Sequence, residues 1–480
     1  MLNARFIFQK HNDRPNSRLL GVLLALFACA LICGLWLLVP HPLLPIVMAL
    51  VPLGLLFVLK NPFPIILGFV IISFFRIHEV IPQLYTLRIP LMLAMGALVS
   101  LSWGLWAGII RPFWTKELAI FSAFFVQTTV SVVMASDRAA SFAYFTSTYI
   151  KIAIMVFAIT WLCANIDRLR FASNAFVVSG ITVAFVALFN KANGIGLVEG
   201  TRVTIGRDLG STLGDPNDLS LVLLFPAGFA LSIALNPGSA RFIRILGLLT
   251  FLLMGAAIVA TQSRGGLLGI TAVAGIFAYR RIKSKALLGL IGTVCLGALF
   301  VLAGISDRQS GGAHEEGIDE SAMGRIHAWV AAFRMALHNP VTGVGLDNFL
   351  LNYFTYSDFW DGQNHAVHST WFGVLGETGF SGAIIFITMV VMIFKVVLRA
   401  LQTLKGPFYT GDQGIKIQGV IVAEGILGAL TGFCISGTFL TMGFMWPIYI
   451  LLSLATALGV VVSREHRHAQ VKNNNPDSNK

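Results

Sequence analysis

Charge is what this 480-residue chain has least of: Asp, Glu, Lys and Arg make up 12% of it, against roughly a quarter in soluble domains. With 56% hydrophobic residues and a mean hydropathy of +0.79, it has too little polar surface to enclose a soluble fold. An integral membrane protein is what remains. Cysteine is also scarce. Cys29, Cys33, Cys163, Cys295 and Cys434 all fall within apolar runs, so no outer disulfide is expected and no Cys/His pair has zinc spacing. There is no stretch of soluble composition either, apart from a polar tail from Ser463 to Lys480. The net charge of +12 would suit nucleic acid, but the position of the charges argues against that partner.

What the chain does have is apolar runs of about 20 residues, each long enough to span a bilayer. Spans are expected near 19–39, 43–59, 64–77, 89–110, 118–135, 142–163, 172–189, 219–235, 245–261, 266–279, 286–304, 369–397, 417–437 and 445–462, fourteen in all. The fold class is therefore an all-α, polytopic membrane protein with about 12–14 transmembrane helices. Arg5, Lys10, Arg14 and Arg18 before the first run imitate a signal peptide, but the run is too long and reads as a retained helix. Clusters such as Arg280-Arg281-Ile282-Lys283-Ser284-Lys285 and Arg241 with Arg244 fix their loops, and both termini, on the cytoplasmic side. Most acids fall on the other side. The basic clusters thus read as topological anchors against anionic lipid. Two outer loops are large, about 190–218 and 305–368. The organisation expected is N-terminal helices over 1–189, a central region over 190–400 that holds both loops, C-terminal helices over 401–462, and a cytoplasmic tail over 463–480.

Chemistry belongs at those loops and the helix ends beneath them. The first loop carries Arg202 and Arg207 and ends in Gly214-Asp215-Pro216-Asn217-Asp218. Asp215 followed by proline is a helix start, which offers unpaired N–H groups to an anion or simply caps the helix. Thr261-Gln262-Ser263-Arg264 forms a connection so tight that Arg264 is expected at the outer surface. Gly324-Arg325-Ile326-His327-Ala328-Trp329 opens a helix whose Trp329, Phe333 and Leu337 recur every four residues, which suggests an interfacial helix. Arginine is disfavoured outside, so several near one face call for an anion, or for outer acids such as Asp208, Asp215 or Asp347. A guanidinium fork suits diphosphate. The pairs Asp215…Asp218, Asp358…Asp361 and Glu315-Glu316 look more like caps and turns than magnesium ligands. Lys151 and Glu424 fall within spans, where they would pair with each other or mark a translocation path. His368, at the outer mouth of an apolar helix, is either a cap or a general base; His365 is its nearest rival.

His368-Ser369, nine residues, then Gly379-x-x-Gly382 resembles the histidine–(Asn/Ser/Gln)–nine–Gly-x-x-Gly signature of the O-antigen ligases. Ser263-Arg264-Gly265, Gly324-Arg325…Trp329, His338-Asn339-Pro340-x-x-Gly343-x-Gly345 and Asp215-Pro216-Asn217 resemble the rest of that shared ligase/polymerase domain, over roughly 200–400. The resemblance implies a C-type glycosyltransferase without metal or cofactor, working on the periplasmic face of the bacterial inner membrane. Its catalytic residues would be His368, Arg264 and Arg325. Arg207 or Arg202, Asn217, Ser369 and Trp329 would bind the diphosphate or glycan, and Gly379 and Gly382 would serve structure. The donor implied is a glycan on undecaprenyl diphosphate, and the acceptor lipid A core or another glycoconjugate, with other polysaccharide-assembly proteins as partners. Phe354, Tyr356, Phe359 and Trp360 could stack on sugars or form an interfacial belt. A polymerase of the same superfamily is the nearest alternative. A transporter is the alternative from another class, but no pseudo-repeated halves are visible.

Overall fold

Helix starts in this sequence are written in Asp, Asn, Ser and Thr, and the computed structural model uses them so. It describes residues 44–302 apart from 81 and 86, residues 320–407 apart from 361, residue 409 and residues 411–474, with a few positions between 26 and 37. Two compact units emerge, Met1–Pro62 and Phe63–Lys480. The first contains helix α1 (Leu44–Lys60). The second contains nearly all of α2 (Pro62–Phe75), then α3 (Ile89–Trp106), α4 (Lys116–Val133) and α5 (Arg138–Leu162). The chain continues with α6 (Ile166–Asn193), α7 (Pro216–Leu235), α8 (Arg241–Thr261), α9 (Arg264–Tyr279) and α10 (Lys285–Leu302). It ends with α11 (Glu320–His338), α12 (Phe349–Tyr356), α13 (Thr370–Lys405), α14 (Gln413–Ser436) and α15 (Trp446–Asn474). Thr115, Asn165, Asp215, Ser263, Ser369 and Asp412 each cap the helix that follows by accepting a backbone N–H.

Among the described residues, nine helices are long and apolar enough to cross a membrane: α3 to α8 and α13 to α15. The protein is an all-α, multi-pass membrane protein. Four further expected spans are the apolar helices α1, α2, α9 and α10; the span at 19–39 lies almost wholly outside the described residues, as do Glu315, Glu316 and Asp361. The first residues of the polar tail expected from Ser463 continue α15 as far as Asn474. Helices α7, α14 and α15 form the centre, with 83%, 83% and 78% of their apolar stretches buried. Small residues let them meet. A Cβ on Gly228 would lie 2.5 Å from the backbone nitrogen of Ala429, and one on Gly425 would lie 2.4 Å from the Phe229 ring. Where lipid competes for apolar contact, such close backbone approach is what favours helix association.

Helix α13 is broken at Gly379, whose φ of 70° and ψ of −174° no side-chain-bearing residue adopts readily. The break strips helical partners from nearby backbone groups, and the segment after α11 replaces them. Val344 N–H donates to the Gly376 carbonyl at 2.9 Å, Gly345 N–H to Glu377 at 3.2 Å, and Phe380 N–H to the Pro340 carbonyl at 2.8 Å. From α4, Ser131 Oγ donates to the Glu377 carbonyl and Gln127 Nε2 to that of Thr378. The Asn-Pro-x-x-Gly-x-Gly run and the Gly-x-x-Gly run are therefore two halves of one joint. Gly382 is part of it, because a Cβ there would lie 2.4 Å from the Thr378 Cβ.

Candidate active site

The first loop is ordered by its own sequence. Leu197–Val198 and Arg202–Val203 form a short antiparallel hairpin with Leu197 opposite Val203, followed by 3-10 turns at Arg207–Leu209 and Thr212–Gly214. Arg202 is buried beneath it. Its Nη2 donates to Asn217 Oδ1 at 3.0 Å, its Nε to the Thr261 carbonyl at 3.2 Å, and its Nη1 lies 3.6 Å from Glu199. Asn217 Oδ1 also accepts from Ser263 Oγ at 2.9 Å. Arg202 and Asn217 thus tie the hairpin and the start of α7 to the α8–α9 turn. Arg207, by contrast, is exposed and donates from Nη1 to the Gly214 carbonyl at 3.2 Å. Asp215 accepts from the N–H groups of Asn217 and Asp218, at 2.7 and 3.2 Å, as a cap.

His368 is held from both sides. On one, Trp329 Nε1 donates to the Val367 carbonyl at 3.1 Å, and the indole stacks on Phe372 at 5.2 Å. On the other, Ser369 is fully buried and accepts from Phe372 N–H at 3.4 Å, while Thr370 Oγ1 donates to the Leu440 carbonyl at 2.7 Å. The cap is Ser369, so the imidazole is not needed for capping. Trp329 and Ser369 position the neighbours of His368 through groups already bonded within the protein. The backbone of His368 itself has φ +43°, a left-handed value that costs a residue with a Cβ about 1–2 kcal/mol. Its side chain remains accessible at the surface yet is surrounded by enough protein to be poorly hydrated. That desolvation, reinforced by the cation of Arg325 and by His365 against the pull of Asp215, holds its pKa below the usual histidine value.

Phe439 links the remaining pieces. The Arg325 guanidinium carbon lies 5.9 Å from the Phe439 ring centre, and a Cβ on Gly265, next to Arg264, would lie 3.4 Å from Phe439 Cβ. The structure therefore gathers Arg264, Arg325 and His368 at one end of the bundle, where α7, α9 and α13 all begin. Three helix N-termini and two arginines give that end the field of an anion site. Among the described residues no group of three or more His, Cys, Asp or Glu gathers as a metal site would require. Helix α11 packs by Ala328, Ala331, Ala332 and Met335, while Phe333 and Leu337 stay exposed. Of the loop aromatics, Phe359 stacks on His327 at 3.7 Å, Phe354 meets Trp360 edge-on at 4.6 Å, and Tyr356 accepts from Asn339.

Two features escaped sequence reasoning. Phe439 sits in a run without charge, so nothing flagged it. Arg76 and Lys151 line a cavity of about 660 Å³ with Phe74, Leu98, Met442 and Trp446; Arg76 also donates to Thr212 Oγ1 at 3.2 Å. Lys151 does not pair with Glu424. That carboxylate is held by Arg281, just past the end of α9, at 2.8 Å and by Lys405, the last residue of α13, at 2.6 Å. The buried charge that suggested a translocation path is thus neutralised in place.

No curated protein matches the chain. The family model of the O-antigen ligases matches residues 249–387, which include Arg264, Arg325, His368, Gly379 and Gly382 but not the first loop. Over that stretch the chain is similar to an O-antigen ligase domain.

Proposed function

We propose that this protein is a glycan ligase: it moves a glycan from undecaprenyl diphosphate onto an acceptor, lipid A core or another glycoconjugate, at the periplasmic face of the inner membrane. The observation that carries the reading is His368, accessible and kept neutral beside Arg325, at an end of the bundle built for an anion. An acceptor hydroxyl gives its proton to the imidazole as its oxygen bonds to the anomeric carbon. The bond from that carbon to the diphosphate oxygen breaks, and the electron pair leaves with the diphosphate. Arg264, Arg325 and Arg207 hold the charge that develops, so no general acid and no metal ion is required. The imidazolium then releases its proton to water. Arg202, Asn217, Ser369 and Trp329 act by holding the loop and His368 in place. The cavity beside Thr212 and Met442, apolar with Arg76 and Lys151 on its wall, suits the prenyl chain of such a donor.

A polymerase would use the same machinery with a lipid-linked chain as acceptor; the histidine signature favours the ligase. A deletion strain separates them. A ligase defect leaves long lipid-linked polymer accumulating while the acceptor lacks it, and a polymerase defect leaves single repeat units. Neither accumulation would overturn both.

A further inference from the structure

The end of the bundle opposite His368 carries a second basic site. About 40 Å of helix separates Thr370 from Arg399 along α13. At that far end two adjoining cavities, of about 440 and 400 Å³, share Phe113 and Arg464. Arg399 and Arg467 line the first, Arg111 and Arg168 the second. The five guanidiniums come from α6, α13, α15 and the link before α4. Among the described residues none of the five forms an ion pair. Glu117 lines the first cavity, Asp167 adjoins Arg168 in sequence, and Glu465 is turned away to accept from Asp412 N–H at 3.2 Å. The fittings are instead rigid. Trp161 Nε1 donates to the Phe113 carbonyl at 2.9 Å, the Arg464 guanidinium sits 5.6 Å from the Phe113 ring centre, and Arg168 donates to the Leu162 carbonyl.

We propose that these paired cavities bind an anionic phospholipid headgroup carrying two phosphates, one in each cavity, with Arg464 between them. Two observations favour lipid over a soluble anion. The cavities open at the ends of membrane-spanning helices, and their walls carry exposed Ile109 and Trp114, apolar surface along which acyl chains can lie. The division into two cavities about a shared arginine favours a headgroup with two phosphates over one. The site is separate from the active site and does not depend on the function proposed for it.

The test is native mass spectrometry of the full-length protein titrated with cardiolipin, with phosphatidylglycerol at matched phosphate, and with inorganic phosphate. Cardiolipin should bind about tenfold or more tightly than phosphatidylglycerol, and millimolar inorganic phosphate should not displace it. The pair Arg399→Gln/Arg464→Gln should lose on the order of 10- to 30-fold of that affinity, whereas Arg241→Gln/Lys283→Gln, which removes equal charge elsewhere, should keep it. Equal binding of the two lipids on the wild-type protein would overturn the proposal whether or not the variants fold. Displacement by inorganic phosphate would overturn it too, as would a folded Arg399/Arg464 variant that retains the preference.

Discussion

Gly379→Ala should disable the protein without touching any group that contacts substrate. The added Cβ would lie 2.5 Å from the Pro340 carbonyl oxygen and 2.9 Å from that of Asn339, and alanine cannot relax into φ 70°, ψ −174°. The backbone conformation alone costs about 1–3 kcal/mol. The collision forces apart the joint that ties α13 to residues 340–345, so a total on the order of 3 kcal/mol or more is expected. The turn that moves carries Thr370, Ser369 and His368, and a displacement of about 1 Å at a catalytic base can lower a rate about 100-fold. The assay is thermal unfolding of the purified protein in detergent, followed by tryptophan fluorescence, together with transfer activity. Gly255→Ala is the control, since a Cβ there meets nothing within 4 Å and an exchange of helical glycine for alanine is neutral or favourable by up to about 1 kcal/mol. If Gly379→Ala matched Gly255→Ala in both stability and activity, the joint would not position the histidine as argued.

Other outcomes follow from the same geometry. Arg264→Lys and Arg325→Lys keep the charge but lose the planar fork, so each should lower transfer by about 30- to 1000-fold at normal protein levels, a loss of about 2–4 kcal/mol. Because the pKa of His368 is held down by desolvation and by Arg325, the base form prevails at neutral pH. Transfer should therefore be flat through neutrality and fall only below the usual histidine range; Arg325→Gln should shift that acid limb to higher pH, as a pH–rate profile will show. Transfer should survive EDTA; loss of activity restored by Mg²⁺ would give Asp215 and Asp218 a catalytic role beside the capping of α7 by Asp215. Asp208→Cys, in the exposed part of the first loop, should label with an impermeant thiol reagent from the periplasmic side in an otherwise cysteine-free background, and labelling only after the membrane is broken would reverse the topology.

The spans were legible because hydropathy over about 20 residues reports the environment of a helix directly. The helix start at Asp215 was legible because a cap and its helix are local in sequence, whereas at the start of α13 the cap expected of His368 is made by Ser369. What the sequence withheld was contact at long range. Nothing local says that Gly343 and Gly345 stitch the break at Gly379, or that Arg202 turns inward to Asn217 while Arg207 stays outside. The resemblance grouped Trp329 and Ser369 with the substrate-binding residues, but it could not tell that Trp329 Nε1 donates to the Val367 carbonyl and that Ser369 Oγ accepts from Phe372 N–H. The pairing of Glu424 failed for the same reason: sharing membrane spans suggested Lys151, and only the packing of α9, α13 and α14 brings Arg281 and Lys405 from the helix ends to the carboxylate.

In the proposed reaction His368 is the base and the arginines are the clamp. The direct measurement is single-turnover transfer, by purified protein in proteoliposomes, from a glycan on undecaprenyl diphosphate to a lipid A core acceptor, with donor binding measured in parallel. His368→Ala should bind donor as the wild type does yet lose the pH dependence and at least about 100-fold in rate, while His365→Ala should lose far less. Wild-type transfer by a folded His368→Ala protein would rule out His368 as the base.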